Sequence, residues 1–476
     1  MPQIQLVQGA YEARSMIANA QRCINLYPEQ NTKDAEVPYT HYCTPGLTFL
    51  TQGVVAEVRQ LYTASTGQLF AVIGNVVYYV PTTFILQNLG TITTQSGLVS
   101  LYDDKKYLYV LDGSASGWTV NLTTLAFATF SPTGFVGGNQ IRYLDTFMIS
   151  STKNANMQSS DSSQSSPATY TSSPAALATM SGDSDYLQII ETVHREVWVF
   201  GVRTTEVWSD VGATPFPLQP IPGVFLQHGI VALRSLGKWG LNIFWLSADN
   251  NGQALIMMGT AYKADIISTP AISDAISKYT TISDAIGFCY QQGSHIFYML
   301  TFPTANATWC YDLSTQLWHE RGSLDSNGNL QRHRANCVAH AYNLVIVGDW
   351  QNGALYSFDL NNYTDNGSPI LRIRSFPHLL NDGKRVSYSK FMADIEVGTD
   401  LNPNENPQLS LSWSDNRGVS YNNAIMQTLG SSGQYNTTPT WNRLGFARDR
   451  VFELSWSVAA ATALNGAWIE VERMET

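Results

Sequence analysis

The stretch LVIVGDWQNGALYSFDL, Leu344–Leu360, decides how the rest of the chain is read. An apolar run ends in glycine, a polar turn follows, and a second run carries tyrosine and phenylalanine. Short apolar and aromatic runs bounded by Gly, Asn and Asp are strand and turn chemistry. The same layout recurs in LFAVIGNVVYYV (Leu69–Val80), YLYVLDGSASGWTVNL (Tyr107–Leu122) and IFYMLTFPTANATWCYDL (Ile296–Leu313). One four-stranded sheet made from such a unit cannot bury both faces alone. Several stacked around an axis bury them against one another, as the blades of a β-propeller do. The units are irregularly spaced and carry no WD or kelch signature, so five to seven blades fit and six is the expected number.

The chain has 476 residues, enough for one large repeat-built domain with a satellite or for three modest domains. Aromatic residues make up 12%, with 24 Tyr and 12 Trp, while charged residues are only 13%, about half the usual share. These figures mark an all-β protein and by themselves allow a propeller or tandem sandwiches. Texture divides the chain further. Residues 1–50, with Pro38 and Pro45 around a polar middle, are expected to form an extended N-terminal arm, and residues 51–363 the propeller. Within the latter, the Ser- and Pro-rich segment 150–185 reads as an irregular surface loop. The segment 269–286 opens with Thr269-Pro270, spaces Ile272, Ile276 and Tyr279 helically, and is the best candidate for a short helix. Residues 364–476 change character: Arg372 and Arg374, a Pro- and Asn-rich loop (Thr399–Ser410), then alternating LSLSW (Leu409–Trp413) and VFELSWSV (Val451–Val458). Strict alternation signals a C-terminal β-sandwich with one face of each sheet buried.

Twenty-seven basic against 37 acidic residues give a formal charge of −10, which argues against a protein that grips nucleic acid, since such binding is driven by neutralising phosphates. Cys23, Cys43, Cys289, Cys310 and Cys337 are odd in number and contain no C-x-x-C pair, which predicts reduced, buried thiols. The first residues, MPQIQLVQGAYEARS, lack the apolar run of a signal peptide or membrane span, so folding in cytoplasm is expected and the five N-x-[ST] sequons carry no meaning.

Candidate chemistry is sparse. Ser414, Asn416, Gly418 and Tyr421 in SWSDNRGVSY resemble an Asp box, which in sialidase-like propellers staples a hairpin and is remote from catalysis. His333, Cys337 and His340 would suit a metal only on a helix, and the surrounding strand pattern sends Cys337 and His340 to opposite faces. A glycosidase needs two carboxylates facing each other across a cleft. Asp183, Asp185, Glu191, Glu206 and Asp349 are available, but context favours none. G-x-S-x-G, P-loop, H-E-x-x-H and Rossmann fingerprints are missing from the sequence. The expectation is therefore a non-enzyme with no catalytic, cofactor-binding or metal-binding residues.

Residues Tyr186–Ala232 contain an R-E-h-W-h-F-G strand (Arg195–Gly201), a T-E-h-W strand (Thr205–Trp208) and a turn leading to Pro215-Phe216-Pro217. Together with N-L-Y-P-E (Asn25–Glu29), T-P-G-L (Thr44–Leu47), the S-S-D…P-A-T-Y segment (Ser159–Tyr170) and the closing W-N-R-L-G…L-N-G-A-W-I-E-V-E, this resembles the tail hub, or nozzle, proteins of short-tailed bacteriophages, also called packaged-DNA stabilisation proteins. The resemblance implies a propeller with an added β domain, and a homohexameric ring beneath the portal and adaptor that continues the DNA channel. It further implies a virion protein, assembled in the host cytoplasm, that retains packaged DNA with a needle or plug and supports fibres or spikes. Duplex DNA would pass without specific binding. Trp198 and Trp208 are expected to pack blades and Glu206 to accept a structural hydrogen bond. Two other readings stand beside it: a carbohydrate-binding or carbohydrate-degrading propeller of a phage tail, and a scaffold propeller outside any virus.

Overall fold

The computed structural model describes residues 4–5, 21–32, 37–152, 155–162, 167–172, 185–249, 251–380, 383–397, 407–430, 434 and 436–473. Along it, the second strand of each repeating unit is predominantly apolar; Leu69–Ile73 (LFAVI), for example, is buried throughout. Period-two geometry sends alternate residues to opposite faces. Leu69, Ala71 and Ile73 accordingly pack on one side with Cys337, Ile346 and Leu355. Phe70 and Val72 pack on the other with Leu101, Leu108, Val110 and Trp118. The same division repeats around the molecule, giving hydrophobic layers between successive sheets.

Seven blades result among the described residues, not the six expected. Their innermost strands are Val58–Thr63, Ser100–Asp103, Gln140–Leu144, Leu187–Val193, Gly237–Trp239, Ile286–Gln292 and Ala335–Ala341. Three features hid the extra blade. The third blade takes its outer strands, Met157–Ser160 and Tyr170–Ser172, from the Ser-rich segment expected to be a loop. Among its buried polar side chains, the Gln158 amide donates to Ser150 Oγ at 2.9 Å and Ser160 Oγ donates to the Asp161 carbonyl at 2.8 Å. Asp183, with residues 153–154, 163–166 and 173–184 of that segment, lies outside the described residues. In the fifth blade the inner strand is only three residues long. The seventh is completed by a strand from the other end of the chain.

That closing strand is Gly46–Gln52, antiparallel to Ala354–Asp359. Gly46 donates to the Asn362 carbonyl at 2.8 Å, and a Cβ there would lie 2.2 Å from the same oxygen, so only glycine admits this approach. The helix is Pro270–Ser277, capped by Thr269, whose side chain accepts from the Ile272 N–H. It is shorter than the 269–286 segment expected, and Ile272 and Ile276 enter the layer between the fifth and sixth blades.

The C-terminal sandwich packs Phe391, Trp441, Phe452, Leu454, Leu464 and Ile469 between two sheets. One contains Arg372–Ser375, Asp449–Trp456, Gln408–Ser414 and Ile425–Thr428; the other contains Thr462–Arg473, Val386–Val397 and the hairpin Leu26–Gln30/Tyr39–Cys43. Residues Cys23–Ile24 weld propeller to sandwich: Ile24 pairs in parallel with Glu320 of the sixth blade and antiparallel with Ile373. The described part of the N-terminal fifty residues is thus woven into both sheets, not held out as an arm.

Asn25 is the pivot of this weld. It occupies the left-handed region at φ 54° and is 1% exposed. Its amide donates to the carbonyls of Gly322 at 3.0 Å and Leu371 at 2.8 Å, and its side-chain oxygen accepts from the Gly322 N–H at 3.0 Å. Beside it Arg22 and Glu320 form a two-point ion pair at 2.8 and 3.0 Å. Four residues on, Glu29 Oε2 lies 3.2 Å from His295 Nε2, whose Nδ1 is 2.7 Å from Asp312 Oδ2. The hydrogen bond to Asp312, opposed by burial and helped by the nearby Glu29, raises the His295 pKa above 6.5.

Asn25→Ala leaves buried backbone groups unpaired in both domains and is expected to cost about 3 kcal/mol, measured by denaturant unfolding; a change below about 0.5 kcal/mol contradicts this role. A raised histidine pKa contributes stability that is complete below the unfolded value and is lost as pH rises through the folded one. Thermal unfolding should therefore show Glu29→Gln destabilised more at pH 6 than at pH 9, each relative to wild type.

Candidate functional site: the axial channel

Propeller ligands commonly enter where inner strands converge, and here those strands enclose a cavity of about 490 Å³. Sequence dictates its polarity, because charged and polar residues are interspersed with apolar ones in the inner strands: Arg59, Tyr62, Tyr102, Arg142, Glu191 and Lys238 all line it.

Each of these side chains is already engaged. Arg142 grips Glu191 with Nη2–Oε2 at 2.6 Å and Nε at 3.0 Å from both carboxylate oxygens. Its Nη1 donates to Ser100 Oγ at 3.1 Å and the Ile141 carbonyl at 2.7 Å. Lys238 Nζ donates to the Thr192 carbonyl at 2.7 Å and approaches Glu191 Oε1 at 3.5 Å. Burial opposes ionisation of Glu191, but Arg142 and Lys238 hold its carboxyl below the usual range. Blades two to five are thereby tied each to the next. Arg59, also in the channel lining, donates to the carbonyls of Gly74, Thr94, Ser96 and Gly97 at 2.6–3.1 Å. Burial lowers its pKa to about 10. Glu57 accepts from Arg234 at 2.6 Å and from Asn336 at 2.8 Å, joining the fifth, first and seventh blades.

The carboxylates singled out in the sequence are dispersed. Among the described residues lining the channel Glu191 is the one acidic residue, and no second carboxylate there faces it as glycoside hydrolysis requires. Asp185 caps a turn, accepting from the N–H groups of Val202, Arg203 and Thr204 at 2.8–3.0 Å. Glu206 is fully buried, accepts from the Trp208 indole at 2.7 Å, and is pushed by burial to a pKa of about 7. Asp349 accepts from the Gln351 N–H at 2.7 Å and faces Arg334 at 3.7 Å.

His333 is buried, which lowers its pKa to about 3, and accepts from the Ala335 N–H; Cys337 is buried against Val58, whereas His340 is exposed and packs on Trp239. No group of three or more His, Cys, Asp or Glu that could hold a metal occurs among the described residues. All five cysteines are free and buried, and burial pushes the thiols of Cys23, Cys310 and Cys337 up to about 12. In the Asp-box-like turn, Ser414 Oγ accepts from the Gly418 N–H at 2.8 Å and Asn416 from the Ser420 N–H at 2.9 Å, stapling a sandwich hairpin. Trp198 packs between blades four and five and Trp208 between three and four.

What sequence reading missed is the set of cations that occupy the axis: Arg59, Arg142, Arg234 and Lys238. The signal was a lone basic residue inside a strand-like run, as in QIRYL (Gln140–Leu144).

A propeller fused to a sandwich, with its axial polar groups consumed in holding blades together, is the architecture of a structural building block. Residues 2–363 match the family model described as Bacteriophage P22 Gp10, beta-propeller, and residues 372–472 the one described as Bacteriophage P22 Gp10, beta-sandwich. The chain therefore belongs to the bacteriophage P22 Gp10 family of structural phage tail proteins. A search of curated proteins finds no match. No helix among the described residues is long and apolar enough to cross a membrane.

Glu191→Ala strips the partner from a buried arginine and should destabilise the fold by about 3–5 kcal/mol in chemical denaturation. Unchanged stability would show that the axial network holds nothing together.

Proposed function

We propose that this chain is the tail hub, or nozzle, subunit of a short-tailed phage. Six copies form a ring that extends the DNA channel below the portal and adaptor, retains the packaged genome, and carries fibres or spikes outside and a needle or plug at its end. Assembly takes place in the host cytoplasm and the ring works in the virion tail.

The observation that carries this reading is the size and filling of the axial channel. A cavity of about 490 Å³ is on the scale of a small-molecule pocket, and charged side chains paired between neighbouring blades line it. A duplex, whose major groove alone is about 12 Å wide, has no passage there. DNA must instead run between chains, and a conduit then requires a closed ring of copies. Family membership supports the same role, and the formal charge of −10 suits a wall past which DNA slides.

Electron microscopy of the purified chain with its adaptor tests the proposal. A closed six-fold ring with an opening wide enough for a duplex is expected. A monomer under all conditions, or a ring too narrow for duplex DNA, contradicts it.

A further inference from the structure

Several arginines of this acidic chain are matched by carboxylates: Arg22 by Glu320, Arg142 by Glu191, Arg234 by Glu57, Arg334 by Asp365 and Arg450 by Asp415. One corner of the sandwich instead gathers exposed cations without such a match. The strand Val386–Val397 starts beside two turns, with Val386 paired to Ala447 and Ser387 to Phe446. The N–H groups of Arg443 and Leu444 donate to the carbonyls of Ser389 and Tyr388 at 2.9 and 3.0 Å. These pairings gather Lys384, Arg385, Arg443 and Arg448 at one place, all four exposed.

Their contacts are neutral. Arg385 lies 5.0 Å from the ring centroid of Phe446, itself 54% exposed, and Arg448 Nη1 donates to the Gly383 carbonyl at 2.7 Å. None of the four forms an ion pair among the described residues. Arg417 stands next to them, 3.5 Å from Asp449 Oδ2; the other oxygen of that carboxylate meets His378 at 2.8 Å. The corner therefore keeps a positive potential on a chain of net charge −10.

We propose that Lys384, Arg385, Arg443 and Arg448 form a contact site for the phosphate backbone of duplex DNA, a partner that rests on the reading of this chain as a subunit beside a DNA path. Regularly spaced phosphates give every cation a counter-charge without a shaped pocket, and release of condensed counterions drives the association. A guanidinium laid over an aromatic ring leaves its N–H edges free for bidentate phosphate contact. A second copy of the chain fits less well. Lysine is depleted at protein interfaces and their centres are apolar, whereas of the two exposed large apolar side chains at this corner, Phe446 and Leu380, the first is capped by Arg385. The site reads no sequence, since its groups offer charge and not a base-edge pattern. It gives an otherwise slippery wall a few salt-sensitive points of hold.

The test is fluorescence anisotropy of the full chain with a labelled mixed-sequence duplex over a salt series, beside native mass spectrometry of its oligomeric state. Wild type should bind at 50 mM salt with affinity falling linearly in log salt. The quadruple variant K384Q/R385Q/R443Q/R448Q should bind at least tenfold more weakly, with a slope smaller by about 0.9 for each contact removed, and with oligomer and melting temperature unchanged. R443Q/R448Q serves if the quadruple variant folds poorly, and R203Q/K263Q, which removes exposed cations elsewhere, should behave as wild type. No wild-type binding, or equal binding by the corner variants, overturns the proposal. So does loss of the oligomer with DNA affinity intact, which would make the corner a chain–chain contact. Failure of the ring to form while the corner still binds DNA would count against the tail hub reading alone.

Discussion

A propeller is a stack of sheets that has to meet itself, and the meeting of its last blade with the chain's own beginning governs the rest of this structure. Without Gly46–Gln52 the seventh blade would expose Ala354–Asp359 as an open edge. The residues just before that strand are built into the sandwich. Ring closure and domain attachment are therefore one event: Asn25 cannot reach Gly322 and Leu371 unless propeller and sandwich are both in place. Contacts between residues about fifty and residues beyond 350 are of long range, and their loop-closure entropy has to be met before they stabilise anything.

The axis shows the complementary constraint. Apolar layers between blades favour stacking but say little about how one blade is set against the next. Charged pairs between neighbouring blades do, because Arg142 can satisfy Glu191, Ser100 and its neighbouring carbonyl together in a single arrangement. We read these groups as devices that fix blade setting, since buried ion pairs add less net stability than their Coulomb energy suggests. A wall so occupied leaves the propeller interior to structure and moves function to outer surfaces.

Much of the fold was legible in the residues. Runs such as LFAVI announce strands buried on both faces, and the alternation in LSLSW and VFELSWSV announces sheets buried on one. Blade number was not legible, because a strand made of Met157–Ser160 looks like a loop until its hydroxyls find partners. The closing strand was hidden for another reason: pairing over three hundred residues leaves no local mark. N-L-Y-P-E shows how a motif can carry recognition without disclosing its cause. In the structure Asn25 stitches the domains, Leu26 enters the sandwich core, Tyr27 packs on His295 and Glu29 meets the same ring. The channel carboxylate Glu191 was in view from the start, but its engagement by Arg142 depends on register between two blades.

Hydrogen–deuterium exchange of the intact chain tests the central claim most directly. If residues 21–52 close the propeller and weld it to the sandwich, amides of Gly46–Gln52 will exchange as slowly as those of Ala354–Asp359 and become labile only with them. Fast exchange of Gly46–Gln52 while the seventh blade stays protected would contradict the account.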